Sequence, residues 1–113
     1  MVSIQNTIVN VKYKQFKHTI DILEIEYIEA CKWLSIIYTS DKNIMCAKRL
    51  KDLYTAFAKY SFIRCHKGYI VNMSKIAKIN SKNIFLSSGV IIPIGRTYKE
   101  TVKQQFARFL KNI

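Results

Sequence analysis

The chain has 113 residues, half of them hydrophobic, and a formal net charge of +12. That length suits one domain with a core of its own, and the apolar content argues against disorder. No apolar run approaches the roughly 18 residues of a membrane-spanning helix, and Met1-Val2-Ser3-Ile4-Gln5-Asn6 has neither the basic nor the apolar region of a signal peptide.

The charge is uneven. Residues 1–41 carry four Lys/Arg against five acids, whereas residues 42–113 carry fifteen against two, Asp52 and Glu100. The asymmetry points to a polyanion meeting the C-terminal two-thirds, with a solvated basic surface as the alternative. Cys31, Cys46 and Cys65 are far apart, without a C-x-x-C, and odd in number. With no secretory signal this implies reduced, mostly buried thiols and a cytoplasmic protein. Together with His18 and His66 they lack metal-ligand spacing, so no metal is expected. Three glycines, one proline and no repeat leave no linker, so residues 1–113 are expected to form a single domain.

Ile8 to Tyr13 is rich in β-branched and aromatic residues and reads as a strand, with Val9, Val11 and Tyr13 on one face and Asn10 and Lys12 on the other. Lys17 to Asp21 is a short second strand, and Ile22-Leu23-Glu24 a connecting turn. Ile25 to Cys31 follows as a strand, with Ile25 and Tyr27 on one face and Glu26 and Ile28 on the other. Lys32-Trp33 is a loop tip, Leu34 to Thr39 a strand, Ser40-Asp41-Lys42-Asn43 a turn, and Ile44 to Ala47 its hairpin partner. The period then changes: Leu50, Leu53, Tyr54 and Phe57 lie on one face of a short helix. Phe62 to Cys65 returns to β character, and Ile76 to Ile79 and Asn83 to Leu86 are further strands. Ser87-Ser88-Gly89 turns the chain into Val90 to Ile94, an edge strand because Pro93 has no N–H for a ladder. Thr97-Tyr98-Lys99-Glu100 has the form of a capping box. In the helix beyond, Tyr98, Val102, Phe106, Phe109, Leu110 and Ile113 share one face, leaving Lys99, Lys103, Arg108 and Lys111 for solvent or a polyanion. The pattern predicts a mainly β domain of short antiparallel sheets, with one short mid-chain helix and a C-terminal helix.

The segment Phe62-Ile63-Arg64-Cys65-His66-Lys67-Gly68-Tyr69-Ile70-Val71-Asn72 sets four polar groups, Arg64, His66, Lys67 and Asn72, among apolar anchors with no acid beside them. It resembles the signature of the LytTR family of bacterial DNA-binding domains, Phe-x-Arg-x-His-x-Ser-(aromatic/apolar)-x-Val-Asn followed by Ile. Phe62, Arg64, His66, Val71, Asn72 and Ile76 match, and Gly68 replaces Ser. Ile25-Glu26-Tyr27-Ile28-Glu29-Ala30 is similar to the family's early strand, and Leu50-Lys51-Asp52-Leu53 to the start of its short helix. Ile92-Pro93-Ile94-Gly95-Arg96-Thr97-Tyr98 resembles its Ile-Pro-Ile-Ser-Arg-x-Tyr segment, with Gly95 in place of Ser. The blocks run in order over about residues 7–110.

The resemblance implies an elongated array of short sheets that binds double-stranded DNA through loops, as the effector domain of a two-component response regulator. It further implies paired direct repeats with two copies per site. No receiver domain fits in this chain, because the resemblance occupies nearly all of it. The implied contact regions are Cys31-Lys32-Trp33-Leu34, Arg64 to Gly68, and Gly95-Arg96, with two regions entering successive major grooves and the central one touching the DNA between. Arg96 presents a planar fork suited to guanine, or else closes a helix cap at the surface. Lys67 suits phosphate. His66 either hydrogen-bonds within the turn or touches DNA, and Arg64 either meets phosphate or braces the loop. Lys32 is the cation of its loop, Trp33 is either partly buried or a DNA contact, and Lys99 adds a phosphate contact. Asn72 reads as a turn-forming side chain bonded to backbone.

Catalysis is the weakest class. Cys65 and His66 are neighbours on an extended segment and point to opposite sides, and no Gly-rich phosphate loop exists, so no cofactor and no small-molecule substrate are expected. An RNA-binding basic β module is an alternative: Lys67-Gly68-Tyr69 opens like an RNP1 motif, but Ile70 and Val71 break it. A protein-interaction module using the acidic Asp21–Glu29 stretch or the terminal helix is another.

Overall fold

The computed structural model describes residues 2–112. Among them the chain forms β1 (Val2–Gln5), β2 (Ile8–Tyr13), β3 (Phe16–Asp21), β4 (Ile25–Cys31), β5 (Leu34–Thr39) and β6 (Asn43–Cys46). Helix α1 (Leu50–Phe57), β7 (Phe62–His66), β8 (Tyr69–Asn72), β9 (Ile76–Ile79), β10 (Asn83–Leu86), β11 (Ile91–Pro93) and α2 (Lys99–Lys111) follow. The strands pair antiparallel in three sheets: β1-β2-β3, a central β6-β5-β4-β8-β7, and β11-β10-β9. Mainly β architecture with a short mid-chain helix and a C-terminal helix is thus observed.

The central sheet is buried on both faces along β7 and β8, whereas β5 and β6 alternate buried residues with half-buried or exposed ones. Ile28, Ile37, Ile44, Phe62 and Ile70 join Val9, Val11 and Ile20 of the first sheet and Leu50, Leu53 and Phe57 of α1 in one core. Ile63, Cys65 and Val71 join Ile84, Leu86 and Ile92 of the third sheet and Val102 of α2 in a second. Alternate residues of a strand point to opposite faces, so a strand covered on both sides needs consecutive apolar residues. Phe62-Ile63 and Ile70-Val71 are those pairs. In α1, Leu50, Leu53 and Phe57 are buried and Tyr54 is half-buried, the face read from the helical spacing.

Several sequence expectations change. Strand β8 is not among the expected elements, which pass from Phe62–Cys65 to Ile76–Ile79. Strand β1 is additional; it holds only Val2 and Ile4 as apolar residues, which pair across to Val11 and Val9. In β4 the simple alternation fails because the register shifts between Ile25 and Tyr27. This bulge turns Ile25 to the same core as Ile28 and gives Tyr27 to the other. Glu26, at the irregularity, is buried and accepts a hydrogen bond from the Ser88 hydroxyl at 2.8 Å. Finally, Thr97 does not cap α2. It lies in a 3₁₀ turn, Arg96–Tyr98, whose Tyr98 N–H donates to the Gly95 carbonyl at 2.9 Å; α2 starts at Lys99 without a side-chain cap. On α2, Val102, Phe106 and Phe109 pack against the second core, whereas Leu110 is 53% exposed, and Ile113 lies outside the described residues.

Asn72 ties the central sheet to the next segment. It is 2% exposed; its side-chain N–H donates to the Ile25 carbonyl at 2.8 Å, and its oxygen accepts from the Ser74 N–H at 3.0 Å and the Ser74 hydroxyl at 2.8 Å. Asn72→Ala leaves a buried carbonyl and an N–H unpaired and is expected to cost about 2 kcal/mol. Urea denaturation measures this, and a loss no larger than that of Ser74→Ala would contradict it.

Candidate nucleic-acid interface

The pairing of β4 with β8 brings two hairpin tips to one end of the central sheet. Strand β4 runs into Lys32-Trp33 and β7 runs into Lys67-Gly68, while β5 and β8 lead away. Backbone bonds join the neighbouring loops. Ala30 N–H donates to the Gly68 carbonyl at 2.9 Å, and Gly95 N–H donates to the Cys65 carbonyl at 2.8 Å. The three segments around Lys32-Trp33, Lys67-Gly68 and Gly95-Arg96 therefore stand in a row.

Within the central turn, Arg64 and His66 make internal bonds. One guanidinium N–H of Arg64 donates to the Lys67 carbonyl at 2.7 Å, while its Nε is buried without a partner. His66 Nδ1 accepts from the Gly68 N–H at 3.0 Å, so in this arrangement that nitrogen carries no proton. The His66 ring meets Tyr69 edge-on, with centroids 5.6 Å apart. A side chain at Gly68 would sit at ordinary contact distance, 3.5 Å from His66 Nδ1, so the turn has room for the serine that Gly68 replaces. Gly95 is tighter: a Cβ there would come within 2.9 Å of the Tyr98 ring.

Lys32, Lys67, Arg96 and Lys99 are exposed, and among the described residues no carboxylate pairs with them. Lys32 has a left-handed backbone, φ 56°, at the hairpin tip. Trp33 is 73% exposed, and the Arg49 guanidinium lies 5.1 Å from its ring centroid. Lys99 stands apart from the row. It lines a cleft of about 340 Å³ between the β9–β10 turn and the start of α2, together with Asn80, Ile94 and Lys103.

The sequence reading did not anticipate the support beneath the central turn. The Glu29 carboxylate on β4 accepts from the Tyr38 hydroxyl at 3.0 Å and the Tyr69 hydroxyl at 2.9 Å. Tyr27 stacks on Tyr38 at 4.4 Å between centroids. These contacts join residues up to 40 positions apart, so no local pattern announces them. Burial, then the hydrogen bond to Glu29 and its charge, push the Tyr38 phenol up to about 12. The Tyr69 phenol is also raised, first by its bond to Glu29 and then by burial.

A family model for the LytTr DNA-binding domain matches residues 16–107. The chain belongs to the LytTR family. Membership implies DNA binding by a transcriptional regulator and a non-catalytic role. Among solved structures, the chain is similar to the LytTr DNA-binding domain of a protein described as a putative methyl-accepting/DNA response regulator from Bacillus cereus. The identity is 21%, the TM-score is 0.78, and the match covers 89% of this chain and 97% of that one. At that identity the likeness is one of fold. Among curated proteins none matches. No helix among the described residues is long and apolar enough to cross a membrane. The family match begins within β3, yet Val9 and Val11 of β2 are fully buried, so β2 completes the LytTR core of this chain.

Glu29→Gln removes the charge that helps hold the Tyr38 proton. The phenol should then titrate closer to 10, as tyrosinate absorbance measures. Because the folded-state value is raised, the associated stability is present below about pH 10 and fades as pH rises toward 12. Denaturation near neutral pH and near pH 11 should show that fading in the parent and less of it in the variant. An unchanged titration would contradict the Glu29 link.

Proposed function

We propose that this LytTR domain binds double-stranded DNA sequence-specifically through its row of loops, as the effector of a bacterial transcription regulator. The observation that carries the reading is the backbone stitching of three successive loops at one end of a sheet, each loop offering an exposed cation. In this reading residues 1–113 act as one DNA-binding unit in the cytoplasm, and two copies occupy paired direct repeats.

Arg96 is the base reader. It is exposed at the end of the row, and its fork suits the O6 and N7 acceptors of guanine in the major groove. Lys67 and Lys32 meet phosphates at the two hairpin tips, and Lys99 supplies a further phosphate contact from the first turn of α2. Arg64 and His66 shape the central turn through their bonds to Lys67 and Gly68. That role supports a design in which the central turn positions the duplex and specificity lies at Arg96.

Arg96→Ala should weaken a selected site by about 1–3 kcal/mol and relax preference at one base position. Titration of the selected duplex and a random one decides this; equal losses on both would remove the base-reading role. Lys67→Ala should weaken both duplexes alike and lower the salt slope by about one. A slope equal to the parent's would exclude its phosphate contact. Selection of bound sequences from a random duplex pool tests the reading as a whole, and stronger binding to single-stranded RNA than to any duplex would overturn it.

A further inference from the structure

The segment between β6 and α1, Ala47-Lys48-Arg49, reaches the same end of the central sheet as the three loops. Strand β6 pairs with β5 up to Ser35↔Cys46, so the chain leaves it beside the Lys32-Trp33 tip. Ser35 is fully buried, and its hydroxyl donates to the Lys48 carbonyl at 2.7 Å, which pins the segment there. Lys48 and Arg49 are exposed. Arg49 contributes no side-chain cap to α1. A cation at that helix end is unfavourable, so helix stability does not account for the residue.

The contact that orders Arg49 is the Trp33 ring, 5.1 Å from the guanidinium carbon. Such an exposed pair is a weak attraction between a cation and an aromatic face. That is small beside a core contact but enough to bias a long, flexible side chain. The five N–H donors of arginine lie in the guanidinium plane. Stacking on a ring leaves them free at the edge, and among the described residues none of them has an acceptor. A planar cation set on an exposed indole, in line with three cationic loops, is complementary to a phosphate strand. Four strand spacings separate β6 from β7, about 19 Å across the sheet. Arg49 thus stands at the far end of the row from Arg96.

We propose that Arg49, positioned by Trp33 and flanked by Lys48, is a fourth contact of the duplex, to backbone phosphate at the β6 end of the row. The inference rests on the loop-docking reading above. It makes Trp33 a positioning residue that acts through Arg49 and touches no base. It also lengthens the protein's track along one phosphate strand beyond the three loops.

The test is duplex binding over a salt series for the parent, Arg49→Ala, Arg49→Lys, Trp33→Ala and the double variant Trp33→Ala/Arg49→Ala. Arg49→Ala should weaken selected and random duplexes alike, roughly tenfold, and lower the salt slope by about one. Arg49→Lys should keep the slope and lose part of the affinity, since the charge stays and the planar stack goes. The double variant should bind no worse than Arg49→Ala, the result required if Trp33 works through Arg49. Trp33 is the single tryptophan, so its emission reports loss of the stack directly, and far-UV circular dichroism checks that each variant is folded. A parent that binds duplex while Arg49→Ala keeps its slope and affinity overturns this proposal and leaves the three-loop reading standing. A parent that binds no duplex overturns both. Additive losses in the double variant overturn the positioning role of Trp33.

Discussion

Phe62 and Ile63 are neighbours in sequence and lie in different cores, as do Ile70 and Val71. This two-sided burial of β7 and β8 is the constraint on which the rest depends. The first sheet and α1 cover one face, and the third sheet and α2 pack on the other. Strands β7 and β8 therefore present little but their turn to a partner. The pairing of β4 with β8 then fixes the spacing of the tips, because neighbouring strands stand about 4.8 Å apart. Loops on such a frame are held by ladder bonds, and the bond from Gly95 to the Cys65 carbonyl ties the third loop to the same edge. The row of loops is in this way given the rigidity of a sheet.

The same frame sorts the charges. Two of the seven acids lie on β4, which runs into an interface tip. Both accept hydrogen bonds: buried Glu26 from Ser88, and half-buried Glu29 from two phenols. Burial and the Glu29 carboxylate raise both phenols above the ordinary tyrosine value. Of the three exposed loop cations, Lys67 and Arg96 come from the basic C-terminal two-thirds, and Lys32 from the first 41 residues.

Most elements were legible because their apolar spacing is local: α1 through Leu50, Leu53 and Phe57, the edge strand through Pro93, and the hairpin tip through Lys32-Trp33. The errors lie where a nonlocal contact overrides a local pattern. The β4 bulge cannot be read from Ile25-Glu26-Tyr27, because the residue that answers Glu26 is Ser88, 62 positions away. The capping box at Thr97 is formally correct as a motif. It is overruled because Gly95 is bound to Cys65, and the chain closes a 3₁₀ turn before the helix can start. Strand β1 gave too short an alternation to register without its partner β2. For the candidate interface, the resemblance named three loop segments that backbone bonds bring into one row, whereas the Glu29 tyrosine cluster and the Arg49–Trp33 contact join distant segments and had no sequence signal.

Arg64 shows why brace and binding residue are not opposed descriptions. Its guanidinium closes the central turn on the Lys67 carbonyl, and its Nε remains buried and unpaired. A buried N–H without a partner costs about 1–3 kcal/mol, so a turn selected for stability alone would favour another residue. Lysine in its place could reach the carbonyl but lacks the fork that fixes direction. Bonding to a carbonyl leaves the positive charge of Arg64 intact and holds it at the Lys67 backbone. In the proposed docking, the turn brings two positive charges to a phosphate, one of them already ordered by its bond to the Lys67 carbonyl. Less side-chain freedom is lost on binding than if both cations had to be ordered by the duplex.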